Sequence, residues 1–233
     1  MTALTFGTTG GIGAAFHRAL EGQDGVESVA AGRTAPDTGG PFFPVDLQAP
    51  ETMGALAEIG SLPPLRLVLV ASGLLHDAAD MTPEKKLADL DADALSRAFA
   101  VNAAGPLLLL QHLEPLLPRR GRVVVAALSA RVGSIEDNRL GGWYSYRCSK
   151  AALNQGLRCA AIELKRTRRE SLCVALHPGT VDTPLSQPFQ AGLPAGQLRG
   201  TDAAATSMLD VLSGLEPEDS GRFFAWDGER LPW

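Results

Sequence analysis

Tyrosine and lysine are scarce in this chain, with two tyrosines and four lysines among 233 residues. Cysteine is also sparse: Cys148, Cys159 and Cys173 show no CxxC spacing and no ligand-like spacing with the four histidines. An odd, scattered set argues against a disulfide framework or a metal cluster and points to free thiols in a reducing compartment. No apolar run approaches the ~18 residues that a membrane-spanning helix needs. The start, MTALTFGTTG, lacks the basic and apolar regions of a signal peptide. The expected place is the cytoplasm. Positive charge is not in excess either, since 21 basic against 26 acidic residues give −5. That balance argues against bulk binding of nucleic acid or of an anionic membrane. The one basic cluster, KRTRR at 165–169, reads as a solvated helix C-terminus.

What the chain does have is an ordinary globular composition, 45% apolar and 20% charged, at a length that suits one domain spanning 1–233. Short apolar runs alternate with helical patterns. RLVLVAS (66–72) and RVVVAAL (122–128) are continuous apolar runs, the mark of strands buried on both faces. ALTF, VESVAA, FFPVD, SLCVAL and RFFAW supply further candidate strands, and PETMGALAEIG reads as helical. The alternation predicts an α/β domain with a doubly wound, Rossmann-type parallel sheet of about seven strands and helices on both faces. The Pro/Gly-rich stretch 178–200 is the candidate mobile loop over a substrate pocket.

FGTTGGIGAAF (6–16) follows the first strand and opens the first helix, with Gly7, Gly11 and Gly13 spaced G-x3-G-x-G. Glycines here permit a tight turn and let the backbone approach a pyrophosphate, which the helix N-terminus favours. A P-loop is excluded, because no Gly-Lys-Ser/Thr follows. The second strand ends in VAAGRTA, with no carboxylate and with Arg33 directly after Gly32. An acidic residue there would bind the ribose hydroxyls, whereas an Arg accepts a 2′-phosphate, so NADP(H) is favoured over NAD(H).

The second constellation is WYSYRCSKAALN (143–154), which sets Tyr146 and Lys150 four residues apart. Together with Gly7-x3-Gly11-Ile12-Gly13, it resembles the short-chain dehydrogenase/reductase family over essentially the whole chain. GSIEDNRLGGWYSYRCSKAALN and the ending WDGERLPW look like its C-factor-like carbonyl reductase branch. If 144–164 is helical, Tyr146, Lys150, Leu153, Leu157 and Leu164 share one inward stripe. A buried ammonium without a partner is costly, yet it makes chemical sense if it lowers the Tyr pKa from about 10. Such a Tyr exchanges a proton with a carbonyl or alcohol oxygen.

The resemblance implies the remaining roles. Lys150 would also bond the nicotinamide ribose, and a hydroxyl after the fifth strand would fix the substrate oxygen. Ser129 is the first choice and Ser134 the alternative, because Ser129 lies 17 residues before Tyr146 and Ala130 replaces the usual second serine. Asn102 would bind a relay water at a helix kink, where Pro106 lacks the N–H to close the turn. Asp46 and Leu47 resemble the adenine contact. Ala71, Ser72 and Gly73 stand where the family has Asn-Ala-Gly. Pro178, Gly179, Val181 and Thr183 resemble the segment that covers the nicotinamide. Pro184, Leu185, Phe189 and Leu193 would line the substrate pocket or pack under its loop. The implied activity is hydride transfer between NADP(H) and a small carbonyl or alcohol, by a homodimer or homotetramer that pairs through helices 92–117 and 144–168. A dinucleotide-binding regulatory protein with little turnover is the alternative, since signalling is ascribed to that branch.

Overall fold

The computed structural model describes residues 1–77 and 81–233. Its main sheet is built on β1 (Thr2–Phe6), β2 (Glu27–Gly32), β3 (Phe42–Pro44), β4 (Leu65–Val70), β5 (Val123–Leu128) and β6 (Ser171–His177). A pair, β7 (Thr180–Val181) and β8 (Leu198–Arg199), stands apart from it, and β9 (Phe223–Ala225) and β10 (Arg230–Leu231) finish one edge. The order is β10-β9-β6-β5-β4-β1-β2-β3. Every pairing in this sheet is parallel except β9 with β10. The expected doubly wound sheet is there with eight strands rather than about seven. The addition is the two-residue antiparallel β10, too short to carry a periodic signal.

The strands are apolar throughout because helices cover both faces. Leu4, Phe6, Val68, Val70, Val123 and Val125 point to one core, shared with Leu109 and Leu113 of α3 (Gly105–Leu113) and Leu153 and Leu157 of α4 (Tyr144–Thr167). Ala3, Leu67, Leu69, Val124 and Ala126 point to the other. That second core is closed by Phe16 and Leu20 of α1 (Gly11–Glu21) and Met208 and Leu212 of α5 (Thr201–Gly214).

Four expectations can be set against the structure in detail. The stretch Pro50–Ser61 is helical, but as a 3-10 helix; its apolar spacing does not distinguish the two. The expected helix over 92–117 is interrupted: α2 (Ala92–Phe99) passes through a π-turn (Ala100–Ala104) into α3. The basic cluster is not wholly solvated. Arg168 is buried, donating to the Leu117 and Glu114 carbonyls and pairing with the Glu114 carboxylate at 2.5 Å. As the C-cap residue of α4 it sits at the expected helix C-terminus, and it also ties that end to the end of the α2–α3 run. The stretch 178–200 is partly regular, since it holds β7, β8 and a short 3-10 turn, Gln187–Phe189.

Candidate active site

Strand order reverses between β1 and β4, because β2 and β3 continue on one side and β5 and β6 on the other. Ligands of open α/β sheets bind at such a switch point, beyond the carboxyl ends of the strands. The described residues form a cleft there with two lobes, of about 330 and 370 Å³, sharing Ile12, Ser129, Tyr146 and Thr183.

The first lobe runs along Gly10, Gly11 and Ile12, where α1 begins without a side-chain cap. Gly7 has φ +88°, a conformation that disfavours any side chain. A Cβ on Gly13 would lie 2.2 Å from the Gly7 carbonyl oxygen. Ala71, Ser72 and Gly73 form the opposite wall. Ser72 Oγ and Thr8 Oγ1 are buried with no hydrogen-bond partner among the described residues. An uncapped helix start, a glycine cradle and orphan hydroxyls fit a dinucleotide pyrophosphate. A further cavity of about 320 Å³ lies between Thr8, Thr9, Arg18 and the 34–38 turn, immediately after the exposed Arg33. Asp46 and Leu47 are not in the cleft. The Asp46 carboxylate accepts from the Gln48 N–H at 2.9 Å, and Leu47 is buried in the core.

The catalytic candidates converge on one end of the cleft. Helix α4 is one uninterrupted span of 24 residues, so Tyr146 and Lys150 sit a turn apart, both buried and both lining the first lobe. Lys150 Nζ donates to the Leu128 carbonyl at 2.8 Å and lies 5.8 Å from the centre of the Tyr146 ring. Burial pushes the Lys150 ammonium down to about 7 and the Tyr146 phenol up. The expectation that the ammonium lowers the phenol pKa is therefore reversed in the chain itself, where desolvation outweighs a cation at that distance.

Of the two serine candidates, Ser129 reaches the cleft, and its hydroxyl bonds the Asn154 side chain at 2.6 Å. Ser134 is buried elsewhere and accepts from the Asp137 N–H. Asn102 sits in the π-turn, where the Gly105 N–H reaches back to the Ala100 carbonyl, five residues earlier. Its amide exchanges two hydrogen bonds of 2.7 Å with the Leu74 backbone and donates to Ser149 Oγ at 3.0 Å. Ser149 in turn donates to the Tyr146 carbonyl at 2.9 Å. The expected kink is present, but the Asn side chain is occupied by protein, holding the turn after β4 against α4.

The second lobe is walled by Trp143 and Phe189, whose rings lie 4.8 Å apart, with Leu185 and Leu193 beside them. Its polar floor carries His177 and Arg131. His177 Nδ1 is buried without a partner among the described residues. Burial, reinforced by Arg131, pushes its pKa down to about 4, so it is neutral at pH 7. Gly179 (φ +75°) turns the chain towards Thr180–Val181, and Thr183 closes over Gly11. Sequence reasoning missed Ser149, Asn154 and His177. Asn154, four residues after Lys150, lay on the same inward stripe and could have been read from it.

Residues 18–213 match a family described as enoyl-(acyl carrier protein) reductase. The chain belongs to the short-chain dehydrogenase/reductase family. It is 32% identical over its whole length to a Rhodococcus 1-hydroxy-2-glutathionyl-2-methyl-3-butene dehydrogenase, covering 99% of that protein. It is 40% identical over 148 residues to the C-signal of Myxococcus xanthus, across 63% of this chain and 83% of that one. Among solved structures, the NADPH-bound carbonyl reductase from chicken fatty liver superimposes with a TM-score of 0.81 at 26% identity. That match covers 100% of this chain and 98% of the other. As a short-chain dehydrogenase/reductase, the chain is an oxidoreductase that works with a nicotinamide dinucleotide. No helix among the described residues is long and apolar enough to cross a membrane, and no His/Cys/Asp/Glu group among them could hold a metal ion.

Proposed function

We propose that the protein is an NADPH-dependent reductase of small carbonyl compounds, with Tyr146 as the general acid. The observation that carries this reading is the meeting of Tyr146 and Ser129 on the shared wall of both lobes, with Lys150 directly behind Tyr146. The dinucleotide supplies the hydride when bound. The chain supplies the rest. Ser129 Oγ holds the substrate oxygen once its proton, donated to Asn154 Oδ1 in the empty site, turns to the substrate. Tyr146 gives its phenolic proton to that oxygen. The raised phenol pKa keeps the proton in place at neutral pH, which is the form a reduction consumes. The Lys150 ammonium would stabilise the phenolate left behind until a proton returns to it from solvent, and would hold the ribose side of the cofactor. Asn102 keeps the π-turn in register, so that a relay water meets a main-chain carbonyl rather than the amide, which is already engaged.

Arg33 supports NADP(H) over NAD(H), because it puts a cation beside the Thr34–Thr38 turn with no carboxylate at the end of β2. The aromatic and aliphatic second lobe favours an apolar substrate body. The test is NADPH consumption over a panel of aldehydes, ketones and quinones. A glutathione-conjugated alcohol with NADP+ belongs in the panel because of the Rhodococcus relative. Turnover lost in Tyr146→Phe while NADPH still binds supports the assignment; turnover kept in that variant overturns it. NADPH binding without turnover on any substrate would move the reading to a regulatory dinucleotide-binding protein, which the likeness to the Myxococcus C-signal favours. The unpaired thiols of Cys148, Cys159 and Cys173 support the cytoplasm as the compartment. Ile162, half exposed on α4, supports self-association through that helix into a dimer or tetramer. A monomer mass in light scattering at micromolar concentration would rule that assembly out.

A further inference from the structure

Helix α4 carries the Tyr–Lys pair but begins poorly on its own. Its N-cap, Trp143, is the one non-glycine residue at positive φ (51°) among the described residues, and it offers no side-chain cap. The two residues before it, Gly141 and Gly142, are also left-handed. A helix start needs acceptors for its first free N–H groups, and the side chain of a good N-cap accepts at the second or third helical position.

That acceptor comes from 61 residues upstream. Glu84 is 5% exposed, and its two carboxylate oxygens accept from the Ser145 N–H at 3.3 and 3.2 Å. Ser145 is the second residue of α4. The Ser145 hydroxyl donates to the same carboxylate in a very short contact. The main-chain carbonyl of Glu84 accepts the Trp143 N–H at 2.5 Å. One residue thus satisfies three donors at the head of the helix and brings a negative charge to its positive end. A buried carboxylate is tolerated only where it is hydrogen-bonded, and here its partners among the described residues lie on Ser145. The next residue along the helix is Tyr146.

We infer that Glu84 caps the catalytic helix in trans and is a positioning residue for Tyr146. It fixes the first turn of α4 and, with it, where the phenol stands relative to Ser129. The cap also joins two walls of the site. Leu74 and His76, a few residues before Glu84, belong to the turn that Asn102 holds and to the lining of the first lobe. Leu74, through Asn102 and Ser149, and Glu84, through Ser145, are thus each tied to α4.

The effect on catalysis rests on the reductase reading, whereas the cap itself does not, so two readouts are needed. Hydrogen exchange on the full-length protein should show faster exchange of the 144–148 amides in Glu84→Ala, with the rest of α4 unchanged. In steady-state kinetics, Glu84→Ala should lower kcat about tenfold, since small misplacements of a reacting group are costly, while the NADPH Kd stays within twofold. Glu84→Gln, which keeps one acceptor and the shape, should recover most of kcat. The Glu84→Ala/Ser145→Ala double variant should cost little more than Glu84→Ala alone. Unchanged exchange at 144–148 overturns the cap. Faster exchange with unchanged kcat, or a parallel loss of kcat and NADPH affinity, reduces Glu84 to general stability and overturns the positioning role. If the wild-type protein shows no turnover at all, the reductase reading fails, and the exchange result still decides whether the cap exists.

Discussion

The two ends of the cleft are built on opposite principles. At the catalytic end, the three polar side chains grouped around Tyr146 are held by protein. Lys150 bonds the Leu128 carbonyl, Ser129 bonds Asn154, and Asn102 bonds both the Leu74 backbone and Ser149. At the other end, where we propose that the adenosine phosphate sits, Arg33 is exposed, and Thr8 Oγ1 and Thr38 Oγ1 are buried with no partner among the described residues. The difference is physical. A buried, dry environment makes an unsatisfied polar group expensive and a satisfied one geometrically fixed, which is what proton transfer at a defined atom requires. Recognition of a distal phosphate needs only a cation and hydroxyls at the rim, where water tolerates adjustment.

The largest effect should come from the dry end. Tyr146→Phe removes a proton donor without removing the ring that packs at 6.4 Å against Trp143. Turnover should fall about 10³-fold, within the range for loss of a general acid, while NADPH titration by fluorescence gives an affinity close to wild type. Arg33→Glu should do the converse at the wet end. A charge-assisted contact to a phosphate contributes about 1.5–3 kcal/mol, so the NADPH-over-NADH preference in kcat/KM should fall about 10- to 100-fold. The kcat with saturating cofactor should hold. If Arg33→Glu lowers kcat at saturation, or Tyr146→Phe abolishes NADPH binding, the two ends are coupled and the contrast fails.

The strands, the glycine loop and the Tyr146–Lys150 pair were the legible parts of the sequence. β4 and β5 announce themselves because a strand covered on both faces must be apolar at every position. The Gly7–Gly13 loop shows because no side chain fits where the Gly13 Cβ would meet the Gly7 carbonyl. The Tyr146–Lys150 spacing shows because helical periodicity puts both on the stripe of Leu153 and Leu157. What stayed hidden depends on pairings between distant segments. Glu84 meets Ser145 and Arg168 meets Glu114 across 61 and 54 residues, and no local pattern records either. Pro106 marked a kink in the 92–117 helix, but not that the kink takes the form of a π-turn. The Tyr146 pKa was read with the wrong sign because the sequence shows that a Lys is near, while only the structure shows how completely both groups are buried.

The smallest effect tests that burial directly. With its pKa depressed from 10.5 to about 7, Lys150 has released its proton in the folded protein at pH values where the unfolded chain still holds it. Between about pH 7 and 10.5 the unfolded state therefore binds more protons, and stability rises with pH across that window. Tyr146, raised by burial above the ordinary phenol value of 10.0, opposes this only beyond pH 10. His177, depressed from 6.5 to about 4, lowers stability as pH falls through that lower range. For the protein without added nucleotide, Tm should rise from pH 7 to 9 by about 5 °C, given the unfolding entropy of a domain this size. Lys150→Met, which keeps the length and removes the charge, should flatten that rise and leave the fall below pH 6.5 intact. A Tm that rises equally in Lys150→Met would mean that the ammonium is not the group being desolvated. The dry end would then owe its pH response to other charges. An equal loss of the acid-side fall would place the coupling at His177 instead, on the floor of the second lobe.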